Sequence, residues 1–449
     1  MIAPEHILSR RTVVGYAVGS LGTGGFSTLP GLVLVYYLTD TLGVAALAAG
    51  ILVTAAKIWD VIIDPVIGAR SDRSLAVTRS RRRFMVLGGA LIPVFFIATF
   101  AVPAGLDPVV SGLWVFVAFL LTATAFSLFQ VPYIALPAEL VSGYDERTKL
   151  ITWRVVVLTA AILLFGAGGP ALRSLGGGGH SGYLLMAIVA GLVIGAGMLA
   201  SSTIAPRNVM VPAHAPQIWI AQNYAAGIRA LKRSPPFRTL MLTFLLQGLA
   251  TGLMLAGAQY VATWVLHSED GVTLLFLALI APALVFAPVW GIVARRIGKE
   301  RTFVIASILY GCAALSLIGL LWAAGDWIYL PVALAGSAYA GMQSLPLAML
   351  PDVISHDAAE HGDGHAGTFS GVWTAGETTG MALGATVLTI VLAVSGYAQS
   401  TTGTTVTQTS QAIAGIVVSF SIVPAAIMAF SLIPLARYRL RKHHIDGAS

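Results

Sequence analysis

The sequence predicts an all-α membrane protein, with twelve transmembrane helices arranged as two six-helix bundles, and three observations carry that prediction. The 449 residues are 57% hydrophobic and only 10% charged, with a mean hydropathy of +0.84, whereas a water-soluble domain carries about 25% charge. Apolar runs of about 20 residues recur along the whole chain, each long enough to cross roughly 30 Å of hydrocarbon as a helix. Finally, the basic residues outside these runs fall on the side that holds both termini, Arg173 alone falling opposite.

Taken in order, the first span, 12–38, follows Arg10 and Arg11 but is too long and Gly-rich for a secretory signal and lacks a small-x-small cleavage site, so it reads as a retained helix. The second, 44–68, is apolar except for Lys57, Asp60 and Asp64; spans 84–104, 111–137, 150–171 and 182–205 complete the first bundle. Between the last two lies "GGGGH" at 176–180, which lacks the Gly-Lys-Ser/Thr ending of a phosphate loop and reads as a flexible turn. Hydropathy then drops in the longest polar stretch, giving a first bundle at 1–205, a cytoplasmic linker at 206–237 and a second bundle at 238–449. Within the linker Ile220, Tyr224, Ile228 and Leu231 recur at helical spacing opposite Gln222, Arg229 and Lys232, the pattern of a short helix lying on the membrane surface. The second bundle comprises 239–266, 271–294, 303–323, 327–350, 368–396 and 410–435. The single cysteine, Cys312, excludes an intramolecular disulfide and a thiolate metal site, and is expected to be a small buried side chain.

Positive loops stay in the cytoplasm, so both termini are expected inside the cell membrane. The net charge of +7 then reflects short basic loops beside anionic lipid headgroups, and no nucleic-acid partner is expected. The expected partners are the bilayer and a small-molecule substrate, with the chain acting as a monomer.

Lys57, Asp60 and Asp64 stand at i, i+3 and i+7, so all three project from one helix face. A charge at membrane depth costs at least about 2.5 kcal/mol, which directs this stripe to the bundle interior or a wet cavity rather than to lipid. Two carboxylates one turn apart suit a small cation, Na⁺ or a proton, with Lys57 as internal counter-ion. No other cofactor is expected. A static salt-bridge brace is the competing reading.

The halves echo each other. "GARSDRSLAVTRSRRRF" follows the second span and "GIVARRIGKERTF" the eighth, each opening on a glycine, Gly68 or Gly291, and carrying an arginine cluster, as two parallel repeats require. This loop pair resembles the signature of the major facilitator superfamily, although the second copy lacks the counterpart of Asp72. "KIWDVIIDP", "VPYIALPAELVSGYDERTKLITWR" and "LPDVISHD" leading into "GTFSGVWTAGETTGMALG" are similar to the glycoside–pentoside–hexuronide:cation symporter family, the melibiose permease-like members of that superfamily. The resemblance covers nearly all of both halves. It implies cation-coupled uptake of a sugar-like solute by alternating access, with Asp60 and Asp64 as the paired cation-site aspartates and Lys57 as their basic neighbour.

Departures from the family pattern bear on the substrate. Such a permease carries a Lys-Asp pair in the first span and an aspartate before the Pro-aromatic step of the fourth, where this chain has Thr23-Gly24 and Gln130. An asparagine ahead of the second cation-site aspartate is Ile63, and the lysine of the eleventh span aligns near Thr378, with Glu377 beside it. Arg154 matches the arginine closing the "DERT" motif. By this analogy Gln130, Tyr133, Trp153 and Arg154 lie near the cavity, Trp373 and Gln343 are further substrate candidates, and Glu377 is a coupling or substrate partner facing Lys57. The alternative for Tyr133 and Trp153 is interfacial anchoring, for Arg154 snorkelling to the cytoplasm, and for Glu377 a static interhelical tie.

"SHDAAEHGDGH", 355–365, gathers His356, Asp357, Glu360, His361, Asp363 and His365 in what reads as a cytoplasmic loop, but lacks a fixed ligand spacing, so no metal site is expected. Every histidine lies in a loop or tail, which argues against a membrane-embedded hydrolase or acyltransferase needing a nucleophile–His–acid set. The expected function is therefore a secondary transporter, not an enzyme, carrying a sugar, glycoside or related organic solute with H⁺ or Na⁺. An amphipathic, lysolipid-like solute is the alternative within transport, and a non-transporting receptor the alternative outside it.

Overall fold

The computed structural model describes residues 9–140, 144–207, 229, 231–268, 270–361, 366–403, 406–438 and 440. Twelve helical segments follow one another among them. The first, α1, runs over Arg10–Thr41; Ser9 caps it, its Oγ accepting from the Thr12 N–H at 3.1 Å, and it ends in a π-helical turn at Tyr37–Thr41. Then come α2 (Ala46–Thr78), α3 (Arg82–Phe100), α4 (Pro108–Leu140), α5 (Tyr144–Leu175) and α6 (Gly179–Ser202). The second series is α7 (Pro235–Trp264), α8 (Gly271–Ile297), α9 (Lys299–Ser316), α10 (Tyr329–His361), α11 (Ala366–Val394) and α12 (Ser410–Ala436), the last interrupted at Ser421. Eleven of these are long and apolar enough to cross a membrane by composition alone; α10, carrying Gln343, Ser344, Pro346 and Pro351, is the more polar twelfth.

Several helices overrun their predicted ends. The stretch from Gly68 to Asp72, read as loop, continues α2 to Thr78, and Ser355 to His361 continues α10. Hydropathy marks where hydrocarbon ends, whereas backbone hydrogen bonds continue until something breaks them. After α2 the break comes at Arg79, in the left-handed region at φ 56°, and after α8 at Gly298, φ 95°, the terminal geometry for which glycine is best suited. Of the predicted linker helix, Arg229, Leu231 and Lys232 are helical, and Ile220, Gln222, Tyr224 and Ile228 lie outside the described residues, as do Asp363 and His365. Cys312 is exposed on α9, contrary to the buried position expected of a small apolar residue.

The chain divides into two compact units, residues 1–44, 55–220 and 400–404, and residues 45–54, 221–399 and 405–449. In the first, α3 packs on α4 and α6, and α1 on α5 and α6. The second repeats these pairings six helices later, α9 on α10 and α12, α7 on α11 and α12. Small residues permit the close approaches: a Cβ at Gly88 would stand 2.6 Å from the Ala125 carbonyl oxygen of α4, and one at Gly380 2.6 Å from the Leu245 carbonyl oxygen of α7. Ladders of aromatic rings fill the first unit, with Phe26 stacked on Phe126 at 4.3 Å and Tyr133 between Tyr16 and Phe129 at 4.7 and 5.0 Å. Large apolar side chains such as Val94, Val117, Val156, Val285 and Phe430 are exposed, as a lipid-facing surface requires.

An ion pair between a basic residue ahead of or opening one helix and an acid near the end of the next also recurs. Arg81, just before α3, contacts Glu139 of α4 and Asp72 of α2, both at 2.5 Å; Lys299, at the start of α9, contacts Asp352 of α10 at 2.5 Å. Burial raises the Glu139 carboxyl above the ordinary range for glutamate, an effect that the adjacent Arg81 opposes only in part. Arg233 pairs with Asp357 on α10, so this acid of the predicted loop is tied into the second unit.

Candidate functional site

The charged stripe of α2 faces α1 and α4 in the first unit. Lys57 Nζ lies 3.4 Å from Asp60 Oδ2 and over the rings of Phe26 on α1 and Phe119 on α4, at 4.9 and 5.6 Å from their centroids. Asp60 is 8% exposed. Ser127 of α4, Asp60 and Lys57 all lie close enough to Asp64 to act on its carboxyl. Side chains rather than close backbone approach join α2 to α4, Trp59 Nε1 donating to Thr124 Oγ1 at 2.9 Å. Within this cluster one oxygen on each acid, Asp60 Oδ1 and Asp64 Oδ1, is buried without a hydrogen-bond partner. Desolvated acceptors left unpaired are costly; here they stand one helical turn apart, beside an ammonium already shared with two aromatic faces. This donor set fits a proton directly. For Na⁺ the first unit offers two carboxylates and a hydroxyl, with Ile63 supplying no oxygen.

Gln130, one helical turn beyond Ser127 on α4, accepts a hydrogen bond from Thr23 Oγ1 of α1 at 2.7 Å. Two positions where the resemblance implies charged sugar-gripping groups thus hold a neutral pair bonded to itself. Tyr133, on the next turn, is fully buried. Its hydroxyl donates to the Tyr16 carbonyl at 2.8 Å and meets Ser20 Oγ at 3.0 Å, which makes it part of the α1–α4 packing. The Arg154 guanidinium of α5 stands 5.6 Å from the Tyr133 ring centroid, and its Nε is buried without a partner. Trp153, beside it in sequence, is 51% exposed.

In the second unit a narrow pocket opens between α7, α10 and α11, lined by Gln247, Thr251, Tyr339, Gln343 and Glu377 with Phe244, Gly248, Met342 and Met381. Gln343 and Glu377 are thereby brought together. Trp373 stacks on Phe244 at 4.3 Å and is nearly buried, its Nε1 unpartnered, which sets it behind the pocket wall. Among the described residues no group of three or more His, Cys, Asp or Glu side chains is placed to hold a metal ion.

Sequence reasoning missed Phe26, Phe119, Ser127, Tyr339 and Gln247, residue types ordinary in any span. Helical spacing was the available signal. Phe119, Ser127, Gln130 and Tyr133 share a face of α4, and Tyr339 lies one turn before Gln343.

Two units with the same helix pairings, twelve long helices and a lipid-facing exterior define a membrane transporter of the major facilitator type. The chain belongs to the MFS/sugar transport protein family, whose model matches residues 15–442, so the resemblance to the glycoside–pentoside–hexuronide symporters is borne out. A glucuronide carrier protein homolog of Escherichia coli strain K12 is 26% identical over 446 residues, covering 96% of this chain and 93% of that protein. The sodium-dependent lysophosphatidylcholine symporter 1 of Mus musculus is 25% identical over 382 residues, covering 78% and 70%. A D-xylose-proton symporter crystal structure matches the fold at TM-score 0.69 with 13% identity, covering 96% of this chain and 98% of that one. The protein is a multi-pass membrane transporter.

Proposed function

We propose that the protein carries a sugar, glycoside or related organic solute across the cell membrane together with a cation, by alternating access, and that Asp60 and Asp64 carry the cation with Lys57 as their exchangeable counter-ion. The observation that supports this reading most is the pair of orphaned buried oxygens on Asp60 and Asp64. A structural brace has no use for two unsatisfied acceptors, whereas a site that loads and releases a cation does. A proton is favoured over Na⁺, because one carboxylate suffices for H⁺ while Na⁺ wants a shell of about five or six oxygens. Each six-helix half moves as one body, the linker joins them, both termini face the cytoplasm and the working unit is a monomer.

On the substrate side, Arg154 with Gln130 and Trp153 are assigned to the first half, Tyr133 to holding Arg154, and Gln343 with Glu377 to the second, Trp373 supporting them. The lysophosphatidylcholine symporter among the relatives and the loss of charged groups at Thr23 and Gln130 support a second reading, an amphipathic solute. Reconstitution separates the readings. Substrate-dependent alkalinisation outside proteoliposomes in sodium-free buffer is expected with a glycoside; strict Na⁺ dependence without a pH signal contradicts the proton, and response to lysolipid alone contradicts the sugar.

A further inference from the structure

We propose that the pocket between α7, α10 and α11 is a subsite for hydrogen-bond-donating, non-anionic groups of the substrate, the hydroxyls of an uncharged sugar ring, and that Glu377 makes it reject a carboxylate. The inference rests on the sugar-like transport proposed above and specifies the charge of the solute.

The hydrogen-bond ledger of the pocket carries it. Gln247 Nε2 donates to Ser307 Oγ at 2.8 Å and to Ser431 Oγ at 3.3 Å. Both serines have already used their protons, Ser307 on the Phe303 carbonyl and Ser431 on the Met428 carbonyl. In this arrangement both serines accept from the amide, and Gln247 Oε1 is the atom left over, buried and without a partner. Thr251 spends its hydroxyl proton on the Gly248 carbonyl at 3.1 Å and presents lone pairs. Tyr339 OH receives Gln343 Nε2 at 2.7 Å, which leaves its own proton as one of the few donors in the lining. Glu377, from α11, adds a carboxyl group with neither an ion pair nor a hydrogen bond to a described residue, and no Lys or Arg lines the pocket.

Such a wall is rich in acceptors and poor in donors. The space is about 10 Å³, room for one small polar group; a sugar hydroxyl entering it brings a proton to Gln247 Oε1, Thr251 Oγ1 or the Glu377 carboxyl, and an ammonium group does the same. A uronate carboxylate brings only lone pairs, and no cation in the lining meets its charge. Selectivity comes from leaving buried acceptors unpaired when the wrong group enters.

The test uses the purified full-length protein and three probes of one ring shape, a methyl glucoside, the 2-amino analogue and the glucuronide, ranked by ligand-induced thermal stabilisation. Wild type is expected to bind the glucoside and the amino sugar at least tenfold more tightly than the glucuronide. Glu377→Gln, nearly isosteric, is expected to narrow that ratio to within about threefold, and Glu377→Lys to reverse it; should the lysine variant not fold, the glutamine variant decides alone. Glucuronide binding to wild type as tight as glucoside, or an unchanged ratio in Glu377→Gln, overturns the subsite. Absence of binding by all three sugars overturns the sugar-transport reading itself, and the two failures are thus distinguishable.

Discussion

At Lys57 one ammonium group serves two carboxylates at i+3 and i+7, and it reaches only the nearer, Asp60, at 3.4 Å. The second acid lies beside Ser127 instead, and on the proposed reading a cation entering this cluster would free Lys57. Arg154 differs, resting on the Tyr133 face with a buried Nε unspent, a positive group available to a ligand. Arg154→Ala is therefore expected to weaken substrate binding by about tenfold, roughly 1.4 kcal/mol, and Lys57→Ala by much less; equal binding by wild type and Arg154→Ala in a thermal-shift titration removes the arginine from the site. The stripe was legible in the sequence because charge inside an apolar run is conspicuous and helical spacing is fixed. Its cradle was not. Phe26, Phe119 and Ser127 are indistinguishable by type from lipid-facing or packing residues, and only the apposition of α1, α2 and α4 gives them a role.

Helix α11 meets α7 through glycines, and Gly380 has no space for a side chain beside the Leu245 carbonyl. Gly380→Leu is expected to force the two helices apart, to lower stability by about 1–3 kcal/mol and to impair every activity of the second unit, read as a lower melting temperature; a leucine accepted without loss contradicts this close contact. The ion pair tying α3 to α4 has a pH signature. Glu139 has a raised pKa from burial, so its contribution to stability is fully present below the unfolded value and is lost as pH rises through the folded one. Removing the cation opposing that shift raises the folded value further. Arg81→Ala is accordingly expected to lose more melting temperature at pH 8 than at pH 5, with Glu139→Gln in the same background erasing the difference. At this scale the sequence was informative about the number and order of helices and poor about their ends. Hydropathy reports the hydrocarbon slab, and the polar last turns of α2 and α10, rich in Arg, Asp and His, remain helical beyond it.

For the molecule as a whole, the distribution of basic residues makes a topological prediction that labelling can check. With Cys312 replaced by serine, a cysteine at Gly177 is expected to react with a membrane-impermeant maleimide in intact cells and one at Arg207 only after permeabilisation; the reverse pattern contradicts cytoplasmic termini. The six-plus-six repeat was legible in the two glycine-and-arginine segments, and the recurring helix pairings give it a physical basis. The coupling claim concerns energy. One cation moving down 100 mV releases about 2.3 kcal/mol, enough for roughly 50-fold accumulation, provided that the loaded and empty carboxylates bias the conformational exchange differently. Asparagine preserves size and polarity but cannot take up and release the charge. The decisive measurement is labelled-solute uptake in energised vesicles beside counterflow in de-energised ones: Asp60→Asn and Asp64→Asn are each expected to abolish uphill accumulation while retaining exchange, and full accumulation by both variants would contradict coupling through these aspartates.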